Sequence, residues 1–407
     1  MQQQGQNPKD DCPTTPRAPG KNLAPAWLEV DLDKIGNNIR KLKAAAGPGV
    51  KVLAMVKAQA YGCGAAMISQ VALENGAEML GVANIAEALA LRNSGLRCPI
   101  LVFGRPDESE LGAIIEEDLL QTVFDSMLAR QLDRAAGTAG KKVRVHLKID
   151  TGMGRLGLLP REMDDFLDGF ASCPNLVLDG VYTHFPVADC DTRFTREQLE
   201  TFATLLNKVR ERGYSAEHVH VANSAALLNP ALRRGETFGI VRPGISIYGL
   251  YGSPLVSREI NLEEVVSFKA RVVHVKKVPP GTSVSYGREF IALRDTTIAT
   301  IAAGYADGVP FRLAKKGDVL IHGRRFPIVG RVTMDMTMAD VGESNDIAVG
   351  DVAVFFGESG RAHISVSEVA EKSGTIEHEV ICGIGPRVPR VYLKDGNVAC
   401  IQRYTFG

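Results

Sequence analysis

Apolar and polar positions follow two different patterns along this chain. Between residue 27 and about residue 250, short apolar runs alternate with stretches whose apolar residues recur at helical spacing. The apolar runs predict strands at residues 27–31, 52–56, 79–82, 100–103, 120–123, 143–149, 178–183 and 219–222. Eight strands separated by helices favour a (β/α)8 barrel over an open sheet.

The pattern changes after about residue 262. A long alternating run at residues 265–278 is followed by short strands with glycine-containing turns, and only residues 366–372 have a clear helical pattern. The sequence therefore predicts three parts. Residues 1–24 are a flexible polar tail, residues 25–262 form the barrel, and residues 263–407 form a mostly β C-terminal domain.

Composition narrows the class of partner. Lys plus Arg and Asp plus Glu number 47 each, so the chain has no basic field for nucleic acid. No apolar run is long enough to span a bilayer, and the tail lacks the apolar stretch of a secretory signal. The seven cysteines are scattered without a C-x-x-C pair, which argues against a zinc site or a disulfide framework. We expect a cytoplasmic protein that acts on a small molecule, with no metal, nucleic acid or membrane partner.

A lysine directly after a buried strand is the first sign of chemistry. Lys57 follows the apolar run 52–56, and barrel active sites lie at the C-terminal ends of strands. A desolvated lysine has a lowered pKa and is suited to Schiff-base formation. Gly62 and Gly64 would let backbone approach a ligand closely. The alternative is a strand-end lysine that only extends its amine into solvent.

The segment 56–64, V-K-A-Q-A-Y-G-C-G, resembles the cofactor-lysine motif of alanine racemases. Six further segments resemble that family in the same order, at residues 148–157, 182–185, 222–225, 242–249, 304–308 and 330–335. The resemblance as a whole covers about residues 25–392. The family's fold, a (β/α)8 barrel followed by a β domain, agrees with the fold predicted from the strand pattern.

The resemblance implies a pyridoxal-phosphate-dependent isomerase that interconverts L-alanine and D-alanine through an external aldimine. Inversion at one carbon needs a base on each face of that carbon. Lys57 would hold the cofactor and serve one face, and Tyr305 would serve the other. In the family this tyrosine comes from the partner subunit, which implies a homodimer with shared active sites. The reaction would supply D-alanine as a peptidoglycan precursor, and the alternative is a catabolic role that feeds L-alanine breakdown.

The resemblance also implies roles for residues around the cofactor and substrate. Tyr61, Ser224 and the backbone amides of Gly244 and Ile245 would bind the phosphate, with a helix N-cap as the alternative role of Ser224. Around the ring, Arg242 would face the pyridine nitrogen and His184 would lie nearby. Arg155, Met334 and Asp335 would meet the substrate. Tyr286 would contribute to the wall formed by the partner subunit. Lys148 matches a lysine that is carbamylated in many relatives, and a bound anion is the alternative there.

Four positions depart from the family pattern. Gln59, Cys63 and Thr333 replace residues that are commonly Asp, His and Cys, and Pro386 stands where many relatives have a tyrosine at the substrate entrance. Proline has no hydroxyl and leaves more space. We therefore hypothesise a relaxed specificity that includes serine beside alanine.

Other functions remain as alternatives. A decarboxylase of basic amino acids on the same barrel would need an acid at the pyridine nitrogen, against which Arg242 argues. A non-catalytic pyridoxal-phosphate-binding protein would be a lone barrel without the C-terminal domain. A broad-spectrum racemase would carry a signal peptide and a different loop around Arg155.

Overall fold

The computed structural model describes residues 24–233 and 239–403. The chain divides into two compact units, a barrel unit and a sheet unit. The barrel unit consists of Ile35–Tyr61 and Ala65–Glu263. The sheet unit consists of the residues up to Lys34, Gly62–Gly64 and the residues from Glu264 onward. The flexible tail expected at residues 1–24 lies, except for residue 24, outside the described residues.

The barrel unit contains an eight-stranded parallel sheet with the order β8-β7-β6-β5-β4-β3-β2-β9. Its strands are β2 Lys51–Met55, β3 Met79–Val82, β4 Ile100–Val102, β5 Leu120–Val123, β6 Val143–Lys148, β7 Leu176–Tyr182, β8 His218–His220 and β9 Ile240–Val241. A bridge between Asn223 and Arg242 joins the two segments that follow β8 and β9, so the sheet is nearly closed into a barrel.

Helices connect the strands and cover the outside of the parallel sheet, as this topology requires. The helices of the chain are α1 Leu32–Ala46, α2 Ala65–Glu74, α3 Ile85–Asn93, α4 Leu111–Glu116, α5 Ser126–Thr138, α6 Met163–Phe170, α7 Thr192–Glu211, α8 Ser224–Leu228, α9 Pro230–Arg233, α10 Val366–Ser373 and α11 Glu377–Cys382. Asn84, Asp125 and Asp191 accept backbone hydrogen bonds at the starts of α3, α5 and α7. One apolar cluster of the barrel unit is built from strands on both sides of β2: Leu53, Met79, Leu101, Leu120 and Ile240.

The sheet unit is mostly β, as the sequence predicts. Its strands are β1 Ala26–Asp31, β10 Val266–Val278, β11 Ser283–Val284, β12 Phe290–Ile291, β13 Thr296–Ile301, β14 Asp318–Ile321, β15 Arg324–Pro327, β16 Thr337–Gly342, β17 Val352–Ser359, β18 Ala362–Ile364, β19 Arg390–Lys394 and β20 Asn397–Gln402. The long strand β10 organises the main sheet, because it pairs antiparallel with β1, β13 and β17.

The predicted fold class, a (β/α)8 barrel with a C-terminal β domain, is confirmed, but one strand was wrongly assigned. The run at residues 27–31 was counted among the barrel strands. In the structure it lies in β1, which pairs with β10 and β19 in the sheet unit. The missing barrel strand is β9, which pairs with β2 and has only two residues, too few to give a recognisable apolar run.

The described residues bear on two sequence expectations, one about membrane-spanning segments and one about the cysteines. Within them, no helix combines the length and apolar character needed to cross a membrane. Five of their cysteines are free thiols: Cys63, Cys98, Cys173, Cys190 and Cys382. Cys400 is disulfide-bonded.

A buried asparagine on α1 tests the packing of the barrel unit. Asn38 Nδ2 donates to Ile247 O at 3.1 Å and Glu263 O at 2.9 Å, and its Oδ1 accepts from Glu263 N at 2.9 Å. Replacing it with alanine leaves these buried groups unpaired, so we expect Asn38→Ala to lower the free energy of unfolding by about 3 kcal/mol. The shift should appear as a lower urea midpoint.

The neighbouring, half-buried Asn37 supplies the control. Asn37→Ala should change the free energy of unfolding by less than about 0.5 kcal/mol, as is usual for surface positions. Equal losses in the two variants would contradict the role given to Asn38.

Candidate active site

The chain after β2 turns in a strained conformation that carries the predicted cofactor lysine. Lys57 is half-buried at the end of the strand, and Ala58, Gln59, Ala60 and Tyr61 all have left-handed backbone angles, with φ between 51° and 54°. Each such residue costs about 1–2 kcal/mol relative to the right-handed form. A run of four non-glycine residues in this region persists only where the surroundings hold it, which is typical of functional sites.

A carboxylate that the sequence analysis did not single out helps to hold this turn. Glu87 on α3 accepts from Ala58 N at 2.7 Å and from Ala83 N at 2.8 Å with its two oxygens. It therefore ties the segments after β2 and β3 together at one end of the barrel. Ala60 N also donates to Val56 O at 2.8 Å, which closes the turn on itself.

The residues predicted to bind a phosphate lie together in the barrel unit. Ser224 Oγ accepts from Gly244 N at 2.8 Å, and the hydroxyl of Ser246 donates to it at 2.9 Å. A side chain at position 244 would place its Cβ 2.4 Å from the hydroxyl of Tyr61, so only glycine fits there. Ile245 begins a short 3₁₀ turn, whose first amides have no partner inside the turn.

The alternative role considered for Ser224 is wrong. The residue that caps α8 is Asn223, whose side chain accepts from Ala226 N at 3.0 Å, and Ser224 is the first residue of the helix. The serine hydroxyl is therefore directed at the segment around Gly244. Two hydroxyls, from Tyr61 and Ser224, and backbone amides near residue 244 form a set of donors that suits a phosphate dianion.

Arg242, which follows β9, forms hydrogen bonds with the segments that follow neighbouring strands of the barrel unit. Its guanidinium is buried: Nη2 donates to Thr183 O at 2.8 Å and to Val221 O at 3.1 Å, Nη1 donates to His220 Nδ1 at 2.8 Å, and His184 Nδ1 lies 3.3 Å from Nη2. Burial lowers its pKa to about 10, so it remains a cation at neutral pH. Because arginine offers only donors, His220 Nδ1 must be an acceptor.

Burial and positive charge also perturb the two other titratable groups predicted here. Burial, followed by the charge of Arg242, lowers the pKa of His184 well below its usual value, so the ring is neutral. Burial, followed by Arg155 and Arg242, lowers the pKa of Lys148 to about 8. A substantial fraction of this amine is therefore uncharged in mildly alkaline solution.

The loop that carries Arg155 is shaped by a second carboxylate missed from sequence. Asp150 Oδ1 accepts from the backbone amides of Gly152, Met153 and Gly154 at 2.9, 2.9 and 3.1 Å. The loop folds around this one oxygen. Arg155 itself is exposed, as expected for a residue that meets a diffusible substrate.

In the sheet unit, the loop with Tyr305 and the loop with Met334 and Asp335 are in contact. Tyr305 N donates to Thr333 O and the next amide donates to Met334 O, both at 3.0 Å. A Cβ at Gly304 would lie 2.2 Å from Thr333 O, which explains the glycine. Tyr305, Met334 and Asp335 are all exposed.

An arginine next to Pro386 holds the same two loops. Arg387 forms two hydrogen bonds with Asp307, at 2.7 and 2.9 Å, and one with Asp335 at 2.7 Å. Asp307 in turn accepts from Gly304 N at 2.9 Å. Sequence reasoning did not single out this arginine or connect it to the tyrosine loop.

Tyr286 lies in the most strained segment of the sheet unit. Ser285 has φ 66° and ψ −179°, a combination that is nearly confined to glycine, and Gly287 and Arg288 have φ 72° and 50°. The Tyr286 side chain is 71% exposed, compared with 45% for Tyr305. The hydroxyl of Ser285 donates to Arg331 O at 2.7 Å and helps to hold this backbone.

Comparisons with known proteins agree with these features. The model of the alanine racemase N-terminal domain matches residues 30–252, and that of the C-terminal domain matches residues 265–392. The alanine racemase of Methanococcus maripaludis is 43% identical over 91% of this chain and 99% of its own.

Solved structures extend the likeness to the fold. A crystal structure of alanine racemase from Bacillus anthracis with bound L-Ala-P is 38% identical, with a TM-score of 0.88 over 95% of this chain and 99% of that one. A histidine racemase from Leuconostoc mesenteroides is 26% identical, with a TM-score of 0.84 over 93% of this chain and all of its own. The chain therefore belongs to the alanine racemase family, the pyridoxal-phosphate-dependent family that its sequence motifs indicated.

Proposed function

We propose that the protein interconverts L-alanine and D-alanine with pyridoxal phosphate held by Lys57. The observation that carries this proposal is the arrangement of the barrel unit, where a strained turn presents Lys57 and Tyr61 and the segment around Gly244 presents a phosphate-binding set of donors. The Tyr61 hydroxyl lies only 2.4 Å from where a Cβ at position 244 would be, so glycine lets this hydroxyl and the residue 244 backbone come close together. Relatives named alanine racemase match nearly the whole chain, which supports the same substrate.

The bound cofactor supplies electron withdrawal, which acidifies the Cα–H bond of an attached amino acid. Arg242 moderates that withdrawal. It is a buried cation with hydrogen-bond donors only, so it can donate to the ring nitrogen but cannot take a proton from it or supply an acid's counter-charge. A weaker electron sink limits side reactions such as transamination and suits a racemase.

Inversion requires one base on each face of Cα. Lys57 is proposed to hold and return the proton on one face. The second base is proposed to be a tyrosine of the sheet unit. The sequence assigns this role to Tyr305, and the hydrogen bonds that link its loop to Met334 and Asp335 support a shared role near the substrate carboxylate.

A specific observation makes Tyr286 a second candidate for this base. Its backbone is strained at Ser285 and its neighbours, and its phenol is the more exposed of the two. Strain of this kind is retained where it positions a functional group. An exposed phenol on a strained turn is suited to enter the site of another copy, so we propose a homodimer in which each active site receives a tyrosine from the partner subunit.

Lys148 is proposed to act on Arg155 rather than on the substrate. A buried amine with a pKa of about 8 is reactive enough towards carbon dioxide to form a carbamate, which would convert a repulsive cation into an anion. Such an anion would pair with the Arg155 guanidinium. A bound inorganic anion would serve the same electrostatic purpose.

Two broader aspects complete the proposal. We propose that the enzyme works in the cytoplasm and supplies D-alanine for peptidoglycan. The non-catalytic alternative has little support, because the family match includes the whole C-terminal domain as well as the barrel. The structurally similar histidine racemase supports the view that this fold accepts more than one amino acid.

Loss of Lys57 tests cofactor attachment and activity together. Reduction of the holoenzyme with borohydride should fix pyridoxal phosphate to Lys57, detected as a mass increase on the peptide that contains it. Lys57→Ala should show no such increase and should lose racemisation by at least about 10³-fold, because it lacks both the attachment point and one base. A labelled peptide elsewhere, or full activity in Lys57→Ala, would refute the proposal.

The two tyrosines are compared by a matched pair of variants, Tyr286→Phe and Tyr305→Phe. The variant that lacks the second base should lose about 10²–10⁴-fold in kcat. In deuterated water it should still exchange the Cα–H of one alanine enantiomer without inverting it, because Lys57 remains. The other variant should retain both exchanges. If both variants exchange the two enantiomers equally, neither phenol is the second base.

Pro386, which is exposed between Gly385 and Arg387, tests the alternative of relaxed specificity. We expect the wild-type protein to racemise serine measurably, and Pro386→Tyr to reduce kcat/KM for serine relative to alanine, because a phenol would narrow the space. The change should be about tenfold, the range expected for one small steric difference. A strong preference for alanine that is the same in both proteins would exclude the hypothesis.

A further inference from the structure

A continuous chain of buried hydrogen bonds connects Arg242 to a carboxylate on another strand of the barrel unit. Arg242 Nη1 lies 2.8 Å from His220 Nδ1, His220 Nε2 lies 2.8 Å from His146 Nδ1, and His146 Nε2 lies 3.2 Å from Asp179 Oδ2. The two histidine side chains are completely buried. They are not among the residues to which the sequence assigned a role.

The direction of every bond in this relay follows from the chemistry of its first member. Arginine can only donate, so His220 Nδ1 accepts and the ring's proton is on Nε2. That proton is donated to His146 Nδ1, and the proton on His146 Nε2 is donated to Asp179. Burial lowers the pKa of both imidazoles, so each ring carries one proton and only this pair of tautomers satisfies all three bonds.

The relay joins a cation to an anion through two neutral rings. Burial alone would raise the pKa of the Asp179 carboxyl, but its hydrogen bond to His146 and the positive groups around it lower the pKa on balance. A chain with opposite charges at its ends polarises each hydrogen bond in the same direction, which strengthens the bonds. The Asp179 charge therefore favours the pair of histidine tautomers in which His220 Nδ1 accepts from Arg242.

Close packing keeps both rings from rotating. The His220 ring stacks on Tyr182, with centroids 4.6 Å apart and planes inclined by 9°. The His146 ring lies against the backbone of β7 at Gly180, where a Cβ would approach its Nδ1 to 2.6 Å. Glycine at position 180 thus makes room for the imidazole, which supports the view that the relay is built into the barrel.

We propose that His146 and Asp179 are positioning residues that hold the Arg242 guanidinium in one orientation and so set how strongly the cofactor ring withdraws electrons. This inference rests on the proposed function, in which Arg242 faces the ring nitrogen. Asp179 acts at a distance, since two side chains separate it from Arg242. Weakening the relay lets Arg242 move away from the ring nitrogen, which then becomes open to protonation by solvent.

The first experiment observes the relay directly by nitrogen NMR of the holoenzyme with ¹⁵N-labelled histidine. We expect His146 and His220 to be neutral rings protonated on Nε2. Asp179→Asn should keep this pattern, because the amide oxygen still accepts, whereas Asp179→Ala should keep the tautomers but shift the His146 Nε2 resonance, because its proton loses its acceptor. His218→Gln is the control, because His218 Nε2 lies 3.8 Å from the same carboxylate but outside the relay.

The second experiment measures abortive transamination, followed by the absorbance of the bound cofactor as it is converted to its amine form. Asp179→Asn, which removes charge but not shape, should increase the number of such events per racemisation by roughly threefold to tenfold, the scale of a lost charge-assisted bond. His218→Gln should leave it unchanged.

The outcomes separate this inference from the proposed function. A doubly protonated ring, or protonation of either histidine on Nδ1 in the wild type, overturns the relay whatever the activity. An unchanged transamination ratio in Asp179→Asn overturns its role in positioning Arg242. If the wild-type protein does not racemise alanine while the NMR pattern is as expected, the proposed function fails and the relay stands.

Discussion

A buried cation holds the strand ends of the barrel around the site. Arg242 follows β9 and donates to carbonyl groups after β7 and β8, so its guanidinium joins three segments that are far apart in sequence. Removing such a charge from water is costly, and it is stable here because several donors are satisfied at once. The site that results is positive and contains neutral histidines, which suits an anionic cofactor and an amino acid carboxylate.

The backbone around this cation carries strain that supports the chemistry. The left-handed turn at Ala58–Tyr61 costs several kcal/mol by the usual scale, and Glu87 offsets part of this by accepting from Ala58 N at the start of the turn and from Ala83 N after β3. Gly244 allows the turn's tyrosine to approach the residue 244 backbone. Strain and close approach thus serve one purpose, which is to bring a lysine and phosphate donors to one end of the barrel unit.

Some elements were predictable because their signals are local. The limits of β3 and β5 coincide with the predicted runs, since each is a compact apolar segment between polar residues. β9 was missed because two residues give no periodic signal, and β1 was misplaced because a strand's pattern does not say which sheet it joins. The motifs identified the family without any tertiary information.

What could not be predicted depends on contacts between distant residues. Nothing local in the sequence shows that Glu87 binds the turn after β2, that Asp150 shapes the Arg155 loop, or that Arg387 holds two loops of the sheet unit. The backbone strain at Ser285 is equally invisible, because serine rarely adopts that conformation. This strain at Ser285 is the observation that makes Tyr286 a candidate for the second base.

The central claim is that a cationic, donor-only side chain faces the cofactor ring and leaves its nitrogen without a proton. The direct test is nitrogen NMR of the protein reconstituted with pyridoxal phosphate labelled with ¹⁵N in the ring. The account predicts the chemical shift of an unprotonated pyridine nitrogen that accepts a hydrogen bond, altered in Arg242→Leu. The shift of a protonated pyridinium in the wild-type protein would contradict it.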